Sequence, residues 1–349
     1  MTPEHTRSTM PPPFVWSGRR VFVTGATGIV GSWLVKRLLD TGAYVVTLIR
    51  DWDPQTELVR SGDIMRTHVV NGRLEDFDAI ERAINEHEIN TVFHLGAQPI
   101  VTTALRNPLP TFEANIRGSY NLLEACRVHR SLVTRVVVAS SDKAYGEGPR
   151  LPYTEEMPAN GRHPYDVSKS CTDLLAMTYA HTYELPVAVA RCGNIYGGGD
   201  LNWSRIVPGT IRSLSRGERP IIRSNGRFTR DYIFVRDVVD GYIALAEQCT
   251  NEGIRGEAFN FSPETRVTVL EITKIMQGVM RREDLEPIIL NQAQGEIVDQ
   301  YLDSTKAKER LGWTARHRLE TGLGETVGWY EQFFESTDEK RVNVGRPTL

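Results

Sequence analysis

Residues 23–34 read VTGATGIVGSWL, and how this stretch is read decides the fold. The run leading into it, RVFVTG from Arg20, is apolar and β-branched, as a buried strand is, while SWLVKRLLDTG after it carries apolar residues at helical spacing. Between them Gly25, Gly28 and Gly31 fall in the order GxxGxxG. A strand that turns sharply into a helix needs glycine where the backbone must approach a pyrophosphate, whose charge then meets the amide end of the helix. With the strand before and the helix after both present, the spacing predicts a dinucleotide-binding loop.

The same rhythm continues outward. AYVVTLI, THVV, TVFHLGA, RVVVAS and PVAVARC read as further short strands, separated by the helical stretches DAIERAINEHE, FEANIRGSYNLLEACRVH and SKSCTDLLAMTYAHTY. Strand and helix in alternation mean a parallel sheet covered on both faces. The expected fold class is therefore α/β, a Rossmann-type doubly wound parallel sheet with a smaller mixed α/β C-terminal lobe that binds substrate. After Gly193 glycines and prolines cluster in GNIYGGGD and RIVPGT, and helices lie further apart. The chain divides on this reading into a flexible tail over residues 1–17, a dinucleotide domain over 18–192, an interleaved substrate lobe over 193–335 and a tail over 336–349.

The 349 residues, 40% apolar and 24% charged, describe an ordinary globular protein. A net charge of −3 offers no case for nucleic acid as a partner, and no apolar run approaches the roughly 18 residues of a membrane span. MTPEHTRSTMPPPF lacks the basic and apolar regions of a signal peptide, so a cytoplasmic location is expected. Cys126, Cys171, Cys192 and Cys249 show no CxxC spacing and no histidine pair, which argues against a metal and against disulfides.

An acid at the end of the second strand suits the adenosine ribose, and a base suits a 2′-phosphate. Arg50 and Asp51 are adjacent in LIRDWD, so both NAD and NADP stay open, with a slight preference for NAD. Further on, YDVSK puts Tyr165 and Lys169 one helical turn apart on one face. An ammonium beside a phenol favours the phenolate, which can then act as a base.

These features together, GxxGxxG, Ser141 after the long central strand and YxxxK some 24 residues later, resemble the extended short-chain dehydrogenase/reductases that act on nucleotide sugars. The resemblance runs from Phe14 to about Tyr330. Within that family it is most similar to the CDP-glucose 4,6-dehydratases, through FVWSGRRVFVTGATGIVGSWL, VFHLGAQPIV, SSDKAYG, HPYDVSKSCTDLL and RCGNIYGGGDLNWSRIVPGTIRS. It implies that Tyr165 takes the proton of the sugar's 4-hydroxyl as hydride leaves C4, that Ser141 bonds the same oxygen, and that Lys169 holds the ribose. It implies that Asp142 is the acid and Lys143 the base of a water loss across C5 and C6. The cofactor is then held by Gly25, Gly28, Ile29, Gly31, Arg50, Asp51, Leu74 and Ala97 together with Tyr165 and Lys169. Gln98, Asn194, Arg205 and Arg230 face the substrate. Arg205 stays open between a phosphate contact and a surface position, and His94 reads as a packing residue.

Two departures stand out. The family usually shows Gly-Asp where this chain has Gly72-Arg73, and its CDP-glucose members carry a tryptophan-containing segment where this chain reads RDYIFV. UDP, GDP and dTDP sugars therefore remain candidates. The implied reaction is a nucleotide-sugar 4,6-dehydration; a 4-epimerase using the same oxidation, or a non-catalytic dinucleotide sensor, would preserve many of the same residues. The family also implies a homodimer through helices of the 111–128 stretch and the helix after Tyr165.

Overall fold

The computed structural model describes residues 14–148, 150–292 and 297–344, with backbone alone from residue 337 onward. Six strands alternate with helices along the first half: β1 (Arg20–Thr24), β2 (Tyr44–Ile49), β3 (His68–Asn71), β4 (Thr91–His94), β5 (Arg135–Ala139) and β6 (Val187–Cys192). The second half adds β7 (Asn194–Tyr196), β8 (Ile221–Ile222), β9 (Thr229–Phe234), β10 (Ala258–Phe261), β11 (Arg266–Thr268), β12 (Ile288–Ile289) and β13 (Asp299–Gln300). The central sheet has the order β10-β6-β5-β4-β1-β2-β3, parallel throughout. Strand order reverses between β1 and β4, so a crevice opens there at the carboxyl edge.

Side-chain alternation explains why both faces are covered. Along β1, Val21 and Val23 pack into one core with Leu34, Val238, Tyr242 and Phe259, while Phe22 packs into the other with Ile80, Leu122 and Val138. Helix starts follow local chemistry. Asp76 accepts the backbone N–H of Ala79 and caps the Phe77–Glu86 helix, a contact of about 1 kcal/mol. Pro164 occupies the first position of the Pro164–Tyr183 helix, where its missing N–H costs nothing.

Elements beyond residue 192, β10 and the Val235–Gln248 helix, complete the central sheet and its core. The remaining strands form a four-stranded sheet in which β9 pairs with β7, β11 and β13, and a two-stranded one of β8 and β12. Both expected tails are shorter than read. Residues 1–13 and 345–349 lie outside the described residues, but Trp16 is buried and its Nε1 donates to Glu247 at 2.8 Å. At the other end the Leu319–Val344 helix runs through position 336. The four cysteines are free, three of them buried.

Candidate active site

The glycine loop works by close approach. Gly25 has φ +71°, and a Cβ there would lie 2.6 Å from the backbone nitrogen of Gly96; a Cβ on Gly31 would lie 2.1 Å from the carbonyl oxygen of Gly25. Gly28 caps the Ile29–Asp40 helix without a side-chain bond, and its first turn holds no acid. The result is a backbone-lined cradle at the amide end of a helix, the shape and polarity that fit a pyrophosphate. Around it lie half-buried Ile29 and Ala97. Leu74 has its carbonyl held by Asn121 Nδ2 at 3.1 Å. At the end of β2, Arg50 and Asp51 pair with each other, Nε to Oδ2 at 2.6 Å, both exposed.

The reaction end is built on the turn after β5. Ser141 caps the short 3-10 helix Asp142–Tyr145, accepts the N–H of Lys143 at 3.2 Å and donates to Asp142 Oδ1 at 3.0 Å. Asp142 is 2% exposed, and its Oδ2 is buried with no hydrogen-bond partner among the described residues. Burial raises its carboxyl pKa, against the charges of Lys143 and Arg230 and the Ser141 bond. Lys143 Nζ is bonded to Gln300 Oε1. Nearby Asp231, also fully buried, is pushed up to about 7 by burial, with the Asp142 charge adding to the effect.

Tyr165 is buried, and its phenol is raised to about 12, because burial outweighs the opposing Arg205 charge. The Lys169 ammonium is not among these main influences: its Nζ donates to the Ala139 carbonyl at 2.9 Å, and burial draws its own pKa down to about 8.

Arg205 is an anchored cation, paired with buried Asp200 at 3.0 Å, and the Asp200 carbonyl accepts from Tyr330 at 2.6 Å. Arg230 is buried and donates to the backbone carbonyls of Thr229, Val298 and Ile297 at 2.6–2.8 Å. Gln98 folds its amide onto Ile100, accepting its N–H at 2.7 Å, and half-buried Asn194 opens β7 opposite Tyr232. His94 is a packing residue: it is buried, both ring nitrogens are bonded, to Thr24 and Ser119, and burial lowers it to about 3.

Sequence reading passed over the braces. Asn115, buried in a π-helical turn at Glu113–Arg117, accepts the Gln98 N–H at 2.7 Å and donates to Ser168 at 2.9 Å, tying the loop after β4 to the Tyr165 helix. Asp173 takes Ser140 Oγ at 2.5 Å and a bidentate pair from Arg191 at 2.7 and 3.0 Å, while Arg191 also donates to Tyr145 at 2.8 Å. Both ends of the Ser141–Asp142 turn are thereby pinned by one buried ion pair. Removing one partner of such a pair costs about 3–5 kcal/mol. Asp173 sits in CTDLL, where nothing in the local sequence marks a pairing with Arg191.

The family described as GDP-mannose 4,6 dehydratase matches residues 22–326. The chain belongs to the extended short-chain dehydrogenase/reductases. It is 33% identical, over 93% of both chains, to a CDP-glucose 4,6-dehydratase of Salmonella typhimurium. Among solved structures it resembles a UDP-glucose 4-epimerase of Thermotoga maritima with UDP-glucose, TM-score 0.81 at 28% identity over 90% of this chain and 99% of that one. It also resembles a dTDP-glucose 4,6-dehydratase of Streptomyces venezuelae with NAD bound, TM-score 0.80 at 25% identity over 90% and 97%. This extended short-chain dehydrogenase/reductase is thus an NAD(P)-dependent enzyme of the nucleotide-sugar dehydratase and epimerase group. Among the described residues no group of three or more His, Cys, Asp and Glu is placed to hold a metal, and no helix is long and apolar enough to cross a membrane.

Proposed function

We propose that this enzyme is a nucleotide-sugar 4,6-dehydratase, converting a nucleoside-diphosphate hexose into its 4-keto-6-deoxy form. The observation that carries the reading is Asp142: a buried carboxyl directly after Ser141, with one oxygen lacking any hydrogen-bond partner among the described residues. A buried acid left half-satisfied is costly unless a ligand completes it. A dehydratase needs an acid beside the departing 6-hydroxyl, whereas a 4-epimerase needs none.

The dinucleotide, when bound, supplies a hydride acceptor for C4 and a hydride donor for C6. NAD is the cofactor we favour; Gly25, Gly28, Ile29, Gly31, Asp51, Leu74 and Ala97 would hold it, with Lys169 on its ribose. Tyr165 and Ser141 receive the 4-hydroxyl, and Asp142 protonates the leaving 6-hydroxyl. Lys143, kept from wandering by Gln300, takes the C5 proton and gives it back. Each well-placed acid or base contributes roughly 10²–10⁴ in rate. Residues 193–335 are read as the lobe that holds the nucleotide sugar, with Asn194 and Arg205 toward the phosphates and Arg230 beside Asp142. The enzyme is further read as a cytoplasmic homodimer; Leu105, Leu109, Tyr120 and Leu174, all exposed apolar side chains on the helices of that region, support a second copy as the partner.

The test is a panel of nucleoside-diphosphate hexoses and hexuronic acids with product mass as the readout. Loss of one water is the expected result. Unchanged mass with a new sugar would make the enzyme a 4-epimerase, and no product at all would leave the sensor.

A further inference from the structure

Asp142 is not the one buried side chain beside Lys143 with an atom left over. Gln300, fully buried in β13, accepts from Lys143 Nζ through its Oε1. That contact fixes which way round the amide lies. An ammonium has three hydrogens and nothing to accept with, so the carbonyl end of the amide must face it and the NH2 end must face away. On that far side Gln300 Nε2 is buried and has no hydrogen-bond partner among the described residues. A buried donor left in this way is costly unless a ligand takes its hydrogens.

The orphaned amide and the orphaned carboxyl oxygen share their neighbours. Gln300 lies opposite Arg230 in the β9–β13 pairing and reaches Lys143 with its side chain. Lys143 follows Asp142 in the chain, and Lys143 and Arg230 are the two cations whose charges bear on the Asp142 carboxyl. Asp142 Oδ1 already accepts from Ser141 at 3.0 Å, so when Asp142 is an acid its hydrogen is carried on Oδ2, the oxygen without a partner among the described residues. Two donors, the Asp142 O–H and the Gln300 N–H, are therefore left for a ligand. A hydroxyl oxygen has two lone pairs and satisfies both.

We propose that Gln300 is a substrate-contacting residue that selects for the 6-hydroxyl: its amide N–H donates to O6 of the hexose while its carbonyl holds Lys143, so that one side chain fixes both the leaving group and the base. The inference rests on the dehydratase reading and deepens it. In the elimination the C5 proton passes to Lys143 and its electron pair becomes the second bond of C5=C6. The C6–O6 pair leaves with the oxygen, which takes the Asp142 proton and departs as water. Gln300 gives up no atom. Its N–H rests on an oxygen that gains electron density as the bond to C6 breaks, so the contact strengthens in the transition state. A sugar without O6 leaves both donors unpaired, and a site built to bond a hydroxyl rejects the analogue that lacks it.

The test compares two sugars on NAD-loaded Tyr165→Phe protein, which cannot take the 4-hydroxyl proton and so binds without turnover. They are CDP-glucose and CDP-6-deoxyglucose, or the same pair of esters of whichever nucleotide the panel selects, and calorimetry gives the dissociation constants. With Gln300 in place, two hydrogen bonds to O6 should make the 6-hydroxyl worth on the order of 10²-fold in affinity. Adding Gln300→Glu, which keeps an acceptor for Lys143 but has no N–H, should cut that preference about tenfold. Gln300→Met, which removes both, should do the same and serves if the added charge unfolds the chain. A general loss of affinity cancels in the ratio. A preference left undiminished in either variant, or none with Gln300 in place, would overturn this role alone. No loss of water from any panel sugar with Tyr165 intact would overturn the dehydratase reading and the role with it.

Discussion

The Ser119 hydroxyl donates its one hydrogen to the Asn115 carbonyl at 2.5 Å, so His94 Nε2, 3.0 Å away, must donate to Ser119. Nδ1 is then left to accept from Thr24 at 2.9 Å. A ring satisfied as a neutral tautomer and fully buried resists protonation, and its pKa falls from 6.5 to about 3. The unfolded chain takes up this proton as pH drops through 6.5, while the folded protein does not until about 3. The stability tied to His94 is therefore complete above 6.5 and is lost progressively below it, at about 1.4 kcal/mol per pH unit. Between pH 6.5 and about pH 5 the loss is roughly 2 kcal/mol. His94→Gln should flatten that acid limb in urea unfolding followed against pH; an unchanged slope would refute the assignment. At the exposed Arg50–Asp51 pair the expectation is different, because such a pair adds only about 0–1 kcal/mol to stability. Asp51→Ala should leave the fold intact, weaken NAD and free Arg50 for a 2′-phosphate, moving the NAD to NADP affinity ratio about tenfold. Fluorescence titration with both dinucleotides reads the change.

Among the elements, the glycine loop offers a graded comparison. A Cβ on Gly31 meets the Gly25 carbonyl at 2.1 Å and Ala26 Cα at 2.8 Å, both backbone, whereas a Cβ on Gly28 meets only the Gly25 carbonyl, at 3.3 Å. Gly31→Ala should weaken dinucleotide binding on the order of 10²-fold and Gly28→Ala far less; equal losses would mean that packing within the loop is not what sets its shape. The loop and the six strands of the first half were legible because both depend on short-range pattern: short continuous apolar runs in the strands and fixed glycine offsets at the turn. The Tyr165–Lys169 spacing was read from the same kind of local pattern, and Ser141 from the family resemblance. What a local pattern cannot carry is partnership across the chain. Gln300 reaches Lys143 from β13, β10 joins the sheet edge from beyond the lobe boundary, and the π-helical turn that aims Asn115 breaks the very periodicity by which helices are read. The burial of Tyr165 escaped for a related reason: spacing showed an amine one turn away, but only the fold shows how deeply the phenol is buried and that the amine is engaged with Ala139.

At the scale of the whole molecule, the proposed second copy would meet exposed apolar side chains on the helices of the 101–128 stretch and on the Tyr165 helix. Leu109 and Leu174 are 64% and 59% exposed, on helices adjoining the Tyr165 helix or belonging to it. Each leucine covered on association contributes about 1.5–3 kcal/mol. Leu109→Glu combined with Leu174→Glu should raise the dissociation constant of the proposed dimer on the order of 10²-fold or more, seen by sedimentation as a halved mass at dilute concentration; an unchanged mass would overturn this placing of the interface. Distance along the chain counts for little in this architecture. Tyr330, in the last helix, grips the Asp200 carbonyl, Asp200 anchors Arg205, and the Arg205 charge acts on the Tyr165 phenol. Severing the polypeptide ahead of that helix would thus be an electrostatic mutation of the proposed reaction centre, delivered from far along the chain.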